Sequence, residues 1–206
     1  MVDMATVYQL TLPPPLVCRS EILRYAGVRG EAPELSAMLD ECLAEALPRL
    51  CYKVCYAEVA TDIVGDSVDL GFCALPSRTL ARALSGCERT VVFAATVGLE
   101  LDRLIARGGV CSPAKALLLD AIGAERVEAL CDALCEQLSG VYAARGLMLR
   151  PRVSAGYGDI PLSLQRDIFA LLQPSGHIGL ALNEGGLMSP SKSVTAFVGL
   201  AKREEK

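Results

Sequence analysis

The longest continuous structural signal in this chain begins at Ser112-Pro113. A serine hydroxyl can accept hydrogen bonds from the amides that a helix start leaves free, and proline suits the first helical position, where its missing N–H costs nothing. A helical stretch then runs to about Arg145. Gly123 and Gly140 interrupt it, so two helices, or one kinked at either glycine, fit the sequence equally well.

Around that stretch the pattern is mixed. Thr6 to Leu12 alternates weakly and stops at Pro13-Pro14-Pro15, as an opening strand followed by a rigid extended linker does. A short helix is expected from Ser20, and a second one from Glu34 to Leu47, where Leu35, Met38, Leu39, Cys42, Leu43 and Ala46 recur at helical spacing before Pro48. Tyr52 to Ala60 and Ile63 to Leu70 flank the polar Thr61-Asp62 and read as an antiparallel hairpin. Ser77 to Leu84 reads as a short helix, Thr90 to Ala95 as a buried strand, and Gly98 to Ala106 as another helix. Strands are expected at Met148 to Val153, Ile178 to Leu182 and Ser193 to Leu200, with a helix from about Leu162 to Leu172. The order does not alternate strictly. It predicts an α+β fold with a twisted, mostly antiparallel or mixed sheet and flanking helices, built as a single domain over residues 1–206.

Composition narrows the function classes. With 20 basic against 24 acidic residues and a formal charge of -4, the chain has no field to attract a polyanion, so nucleic acid is not an expected partner. MVDMATVYQL lacks the basic and apolar regions of a secretory signal, which argues for reduced thiols and a cytoplasmic location. The apolar run from Thr90 to Leu101 is broken by Gly98 and Glu100, and no membrane anchor is read. Of the nine cysteines, the pairs Cys51/Cys55 and Cys131/Cys135 are spaced four apart, unlike the two-residue gap of many zinc knuckles, and read as core. No metal site is expected. A single histidine, His177, leaves little for a Ser-His-Asp triad.

The chemistry concentrates in Arg150 to Leu162, RPRVSAGYGDIPL, where two arginines, two glycines, a tyrosine and an aspartate stand between an expected strand and an expected helix. Glycine lets a ligand approach the backbone, and a guanidinium offers a planar fork to a carboxylate. Composition alone favours the plainer reading, a strand-to-helix turn shaped by Gly156 and Gly158, with Asp159 near the helix start as a cap and Arg152 solvated.

Arg152-x-x-x-Gly156-Tyr157 resembles the S-adenosylmethionine (AdoMet) motif of the activation, or reactivation, domain of cobalamin-dependent methionine synthase. The run Gly158-Asp159-Ile160-Pro161-Leu162 is similar to the segment directly after that motif in free-standing members of the family. Ile178 to Glu184 and Met188 to Val194 resemble the family's next strand and the approach to its closing strand, so the likeness spans roughly the last quarter of the chain. Upstream, Glu21 to Tyr25 and Val127 to Leu130 are similar to segments of free-standing members. Two departures stand out. Ala155 occupies a place where the family usually has proline, and no residue before Lys206 matches a further ligand-contacting tyrosine of the full-length enzymes.

The resemblance implies a methionine synthase activation domain-like fold, and AdoMet held by Glu128, Arg152, Ser154, Gly156 and Tyr157 with no catalytic side chain. It implies a component of methyltransferase activity in methionine biosynthesis: reductive methylation of cob(II)alamin, with the chain holding the sulfonium methyl near cobalt. The cobalamin is expected on a separate methionine synthase or related corrinoid protein, because Ser175 and Leu180 stand where the Asp-x-His-x-x-Gly ligand motif would place its aspartate and glycine around His177. A flavodoxin or ferredoxin is the expected reductant. The alternative is a non-catalytic ligand-binding or corrinoid-protein-stabilising module of the same fold.

Overall fold

The computed structural model describes residues 5–28 and 33–203. Its centre is a five-stranded sheet in which every pairing is antiparallel. The strands are β1 (Val7–Thr11), β2 (Lys53–Ala60), β6 (Cys87–Thr96), β10 (Ser193–Lys202) and β7 (Leu147–Leu149), which lie side by side in that order. β6 lies at the centre with β10 beside it. Alternate residues of a strand face opposite sides, and both sides of these two are apolar, so helices cover the sheet front and back.

On one face, Val54, Val91, Phe93, Ala95, Ala196 and Val198 are buried with residues of α1 (Arg19–Tyr25), α2 (Pro33–Ala46), α4 (Leu99–Cys111) and α5 (Pro113–Ala143). On the other, Cys55, Ala57, Val92, Ala94 and Phe197 are buried with α3 (Arg78–Ala83), α6 (Gln165–Leu172) and α7 (Pro174–Ile178). A small antiparallel sheet of β3 (Asp62–Val64), β4 (Ser67–Asp69) and β5 (Ala74–Pro76) joins this second layer. The remaining strands, β8 (Ala181–Leu182) and β9 (Met188–Ser189), make a short ribbon.

The expected helices form close to where the periodicity puts them, and Ser112 caps α5 by accepting from the Lys115 amide at 3.3 Å. Neither glycine breaks α5, which runs unbroken for 31 residues. Gly123 instead marks a close approach: a Cβ there would lie 2.5 Å from Leu101 Cδ2 and 2.7 Å from Lys192 Cγ. At Gly140 nothing lies within 4 Å.

Two expectations are corrected. Tyr52 to Ala60 does not form a hairpin with Ile63 to Leu70, because β2 pairs with β1 and β6, while the chain after Thr61 turns into the small sheet. Main-chain donors of β2 find partners far along the chain, which sequence adjacency does not reveal. Ile178 to Leu182 is not one strand either: Pro174 starts a short helix that Gly179 ends in the left-handed region at φ 72°, leaving a two-residue strand at Ala181–Leu182.

The eight cysteines with described side chains are free thiols. Cys55 and Cys131 are buried, whereas their neighbours Cys51 and Cys135 are half-buried. Among the described residues, no helix is long and apolar enough to cross a membrane, and no cluster of metal-ligating side chains occurs.

Candidate functional site

After β7 the chain stays beside β10, and Val153 exchanges main-chain hydrogen bonds with Phe197 at 3.0 and 2.8 Å. Val153 is buried toward α6 and α7. Its neighbour on extended backbone must face the other way, and Arg152 accordingly lies against α5. There its guanidinium bonds two carboxylates one helical turn apart, Nη2 to Glu128 and Nη1 to Asp132. Burial works against the charge on Arg152, but the hydrogen bonds to Asp132 and Glu128 outweigh it and raise the pKa above the ordinary arginine value. The three side chains differ in exposure: 25% for Arg152, 41% for Glu128 and 70% for Asp132.

This trio borders an open cleft of about 610 Å³. Its floor is one face of α5, where Glu125, Glu128, Asp132 and Glu136 alternate with Ala129 and Ala133 at spacings of three and four. The alanines leave the hollow, and Glu128, Asp132 and Glu136 rim it. Opposite stand Glu21 and Tyr25 of α1 and the strap Pro15, Leu16 and Cys18. A smaller hollow of about 250 Å³ adjoins it, lined in part by Lys192 and Ser193; Tyr25 and Glu128 border both.

The strap is held from beneath by a buried pair that sequence reasoning missed. Arg126 is wholly buried and donates to the Pro15 and Leu16 carbonyls, each at 2.6 Å, and to the Glu125 carboxylate. Glu125 in turn accepts from the Cys18 amide at 3.0 Å. A buried ion pair persists only when its remaining polar groups are also satisfied, and here the strap's backbone satisfies them. Charge alone marks these residues as surface. The usable signal was the run of acidic residues at helical spacing interleaved with alanine.

Of the five expected ligand residues, Glu128 and Arg152 meet in the cleft. Ser154, Gly156 and Tyr157 lie on the next turn of the chain and are not part of its lining. That turn closes on itself, with the Tyr157 amide donating to Ser154 O at 3.2 Å and the Gly156 amide to Ile160 O at 2.9 Å. Gly156 and Gly158 have φ of 85° and 61°, and a Cβ on Gly158 would lie 2.5 Å from Thr79 Oγ1. Glycine is therefore needed at 158 for conformation and for space. Tyr157 is 69% exposed.

Asp159 ties the turn to α3: its carboxylate accepts from Ser77 Oγ at 2.6 Å and from the Arg78 and Thr79 amides at 2.8 and 3.1 Å. Hydrogen bonds from Ser77, then Thr79, hold this carboxyl well below the usual carboxylate range. Asp159 is thus a cap, though for α3 rather than for the next helix in sequence.

The crystal structure of the MetH reactivation domain bound to AdoHcy superposes on this architecture with a TM-score of 0.68, covering 99% of this chain and 81% of that one. The chain has the reactivation-domain fold. Sequence identity across the superposition is 17%, so the likeness rests on the shared path of the backbone. The sequence matches no family model and no curated protein.

Proposed function

We propose that this protein binds AdoMet in the cleft between α1 and α5, and that it supports reductive methylation of cob(II)alamin on a separate methionine synthase or related corrinoid protein. The observation that carries this reading is the meeting of Arg152 and Glu128, 24 residues apart in sequence. The sequence resemblance points to both of them independently of any geometry. The residues suit the ligand: a guanidinium pairs with the amino acid carboxylate, carboxylates with the ammonium and sulfonium charges, and Tyr25 offers a flat apolar face. A cleft of about 610 Å³ lies within the range of roughly 300–1,000 Å³ for small-molecule sites.

In this reading the chain contributes position. One electron from a flavodoxin or ferredoxin and the methyl group of AdoMet together convert the partner's cob(II)alamin to methylcobalamin and release AdoHcy. Arg152 and Glu128 fix the amino acid end so that the sulfonium methyl faces the partner, and no proton transfer by a side chain is required.

The direct test is calorimetric titration of the purified protein with AdoMet beside Arg152→Ala. Removal of a charge-assisted contact worth about 1.5–3 kcal/mol weakens binding roughly tenfold to hundredfold. Equal affinity of the two proteins removes Arg152 from the site. Failure of the wild type to bind, even beside a corrinoid protein, favours the second reading, a module that keeps the fold without AdoMet. That reading draws support from Ser154, Gly156 and Tyr157, which lie outside the cleft lining. The proposed partnership is tested separately by co-elution with a cobalamin-loaded corrinoid protein.

A further inference from the structure

Arg152 is held by two carboxylates whose situations differ. Glu128 borders both hollows, whereas Asp132 borders only the larger one and stands farther out on α5. Each takes one bond from a different terminal nitrogen of a guanidinium that carries five N–H groups. The cleft thus contains a preformed pair of opposite charges with one partner to spare. A zwitterionic amino acid end arriving there brings a carboxylate for Arg152 and an ammonium for Glu128. Glu128 then changes partner, and without a second carboxylate Arg152 would keep no acidic partner from the protein itself as the ligand binds.

We infer that Asp132 is the positioning residue of this site: it retains Arg152 while Glu128 transfers from the guanidinium to the ligand's ammonium. The inference rests on the AdoMet-binding reading and adds a division of labour between the two carboxylates. It also accounts for two acidic residues spaced i and i+4 on one helix face, an arrangement that repels unless a cation bridges it.

Two measurements on the full chain test this. In the ligand-free protein, nitrogen NMR of the Arg152 guanidinium should show hindered rotation about its Cζ–Nη bonds. In Asp132→Asn the bond to Nη1 is freed and rotates fast, while Glu128→Gln leaves Nη1 hindered. In titrations, Asp132→Asn should weaken AdoMet roughly threefold to tenfold, as expected for a partly exposed charge-assisted contact. It should leave 5′-methylthioadenosine, which lacks the amino acid end, unchanged, and Asp132→Glu should recover most of the loss. AdoMet binding by Asp132→Asn at wild-type affinity overturns the inference alone, as does an equal loss for both ligands. Absence of AdoMet binding by the wild type removes the binding reading and this inference with it.

Discussion

The two glycines of α5 set up a comparison in which one substitution, made twice in one helix, should have opposite signs. Gly→Ala inside a helix ordinarily stabilises by roughly 0.8–1 kcal/mol, because alanine loses less backbone freedom on folding. At Gly140, with nothing within 4 Å of the added methyl, that gain should be realised nearly in full, reduced slightly because the helix ends at Ala143. At Gly123 the methyl would meet Leu101 Cδ2 at 2.5 Å and Lys192 Cγ at 2.7 Å. Leu101 is wholly buried, and Lys192 is held by its 2.7 Å ion pair with Asp120. Neither can withdraw freely. Overpacking of this kind costs about 1–3 kcal/mol, so against the helical gain Gly123→Ala should lose about 0–2 kcal/mol net, toward the upper end because the methyl meets two side chains at once. Urea titrations of both variants, with unchanged slope, should move the midpoints apart in opposite directions. A Gly123→Ala protein as stable as Gly140→Ala would refute the packing argument and make Gly123 an ordinary helix glycine.

Buried and shared charges give further expected outcomes. Glu58 accepts hydrogen bonds from Arg145, Tyr142 and Arg89; that from Arg145 is the largest influence and, with the others, overcomes burial to lower its pKa to about 2. Its contribution, on the order of 3 kcal/mol at most, is present above the ordinary carboxylate pKa and is lost as the pH falls toward 2. Acid titration of Glu58→Gln should therefore show a less stable protein at neutral pH with a flatter decline below pH ~4.5; an unchanged acid limb would disprove the linkage. Arg126→Met should cost about 3–5 kcal/mol by stranding Glu125, and adding Glu125→Gln should recover part of that loss in a thermal unfolding cycle; strictly additive losses would contradict the pairing. Cys18 is exposed, while burial pushes the Cys55 and Cys73 thiols up to about 12. Mapped alkylation at pH ~8 should modify Cys18 well before either, and earlier labelling of Cys55 would mean that the sheet opens readily.

Local signals carried well from sequence to structure and non-local ones did not. The serine-proline start of α5, the apolar spacing of α2 and the β-branched run of β6 each depend on near neighbours, and each formed as expected. Tyr52 to Ala60 was legible as a strand but not its partners, since β1 and β6 reach it from separate parts of the chain. At the candidate site the motif pointed to Arg152 and the upstream resemblance to Glu128, and strand alternation from Val153 explains why they meet. Asp132 and the Glu125–Arg126 pair stayed hidden because a charged residue on a helix ordinarily faces solvent. Only the strap folded over Glu125 and Arg126 makes the burial of that pair possible.

That strap has a consequence for the order of assembly. Pro15 and Leu16 emerge from the ribosome well before α5, yet their carbonyls bond Arg126, 111 and 110 residues later. During translation the N-terminal wall must wait for α5 to emerge before it has a surface to close upon, and contacts of such long separation form slowly. Any small molecule that fills the cleft bridges the early and late parts of the chain, so its binding should act as a latch on the completed fold.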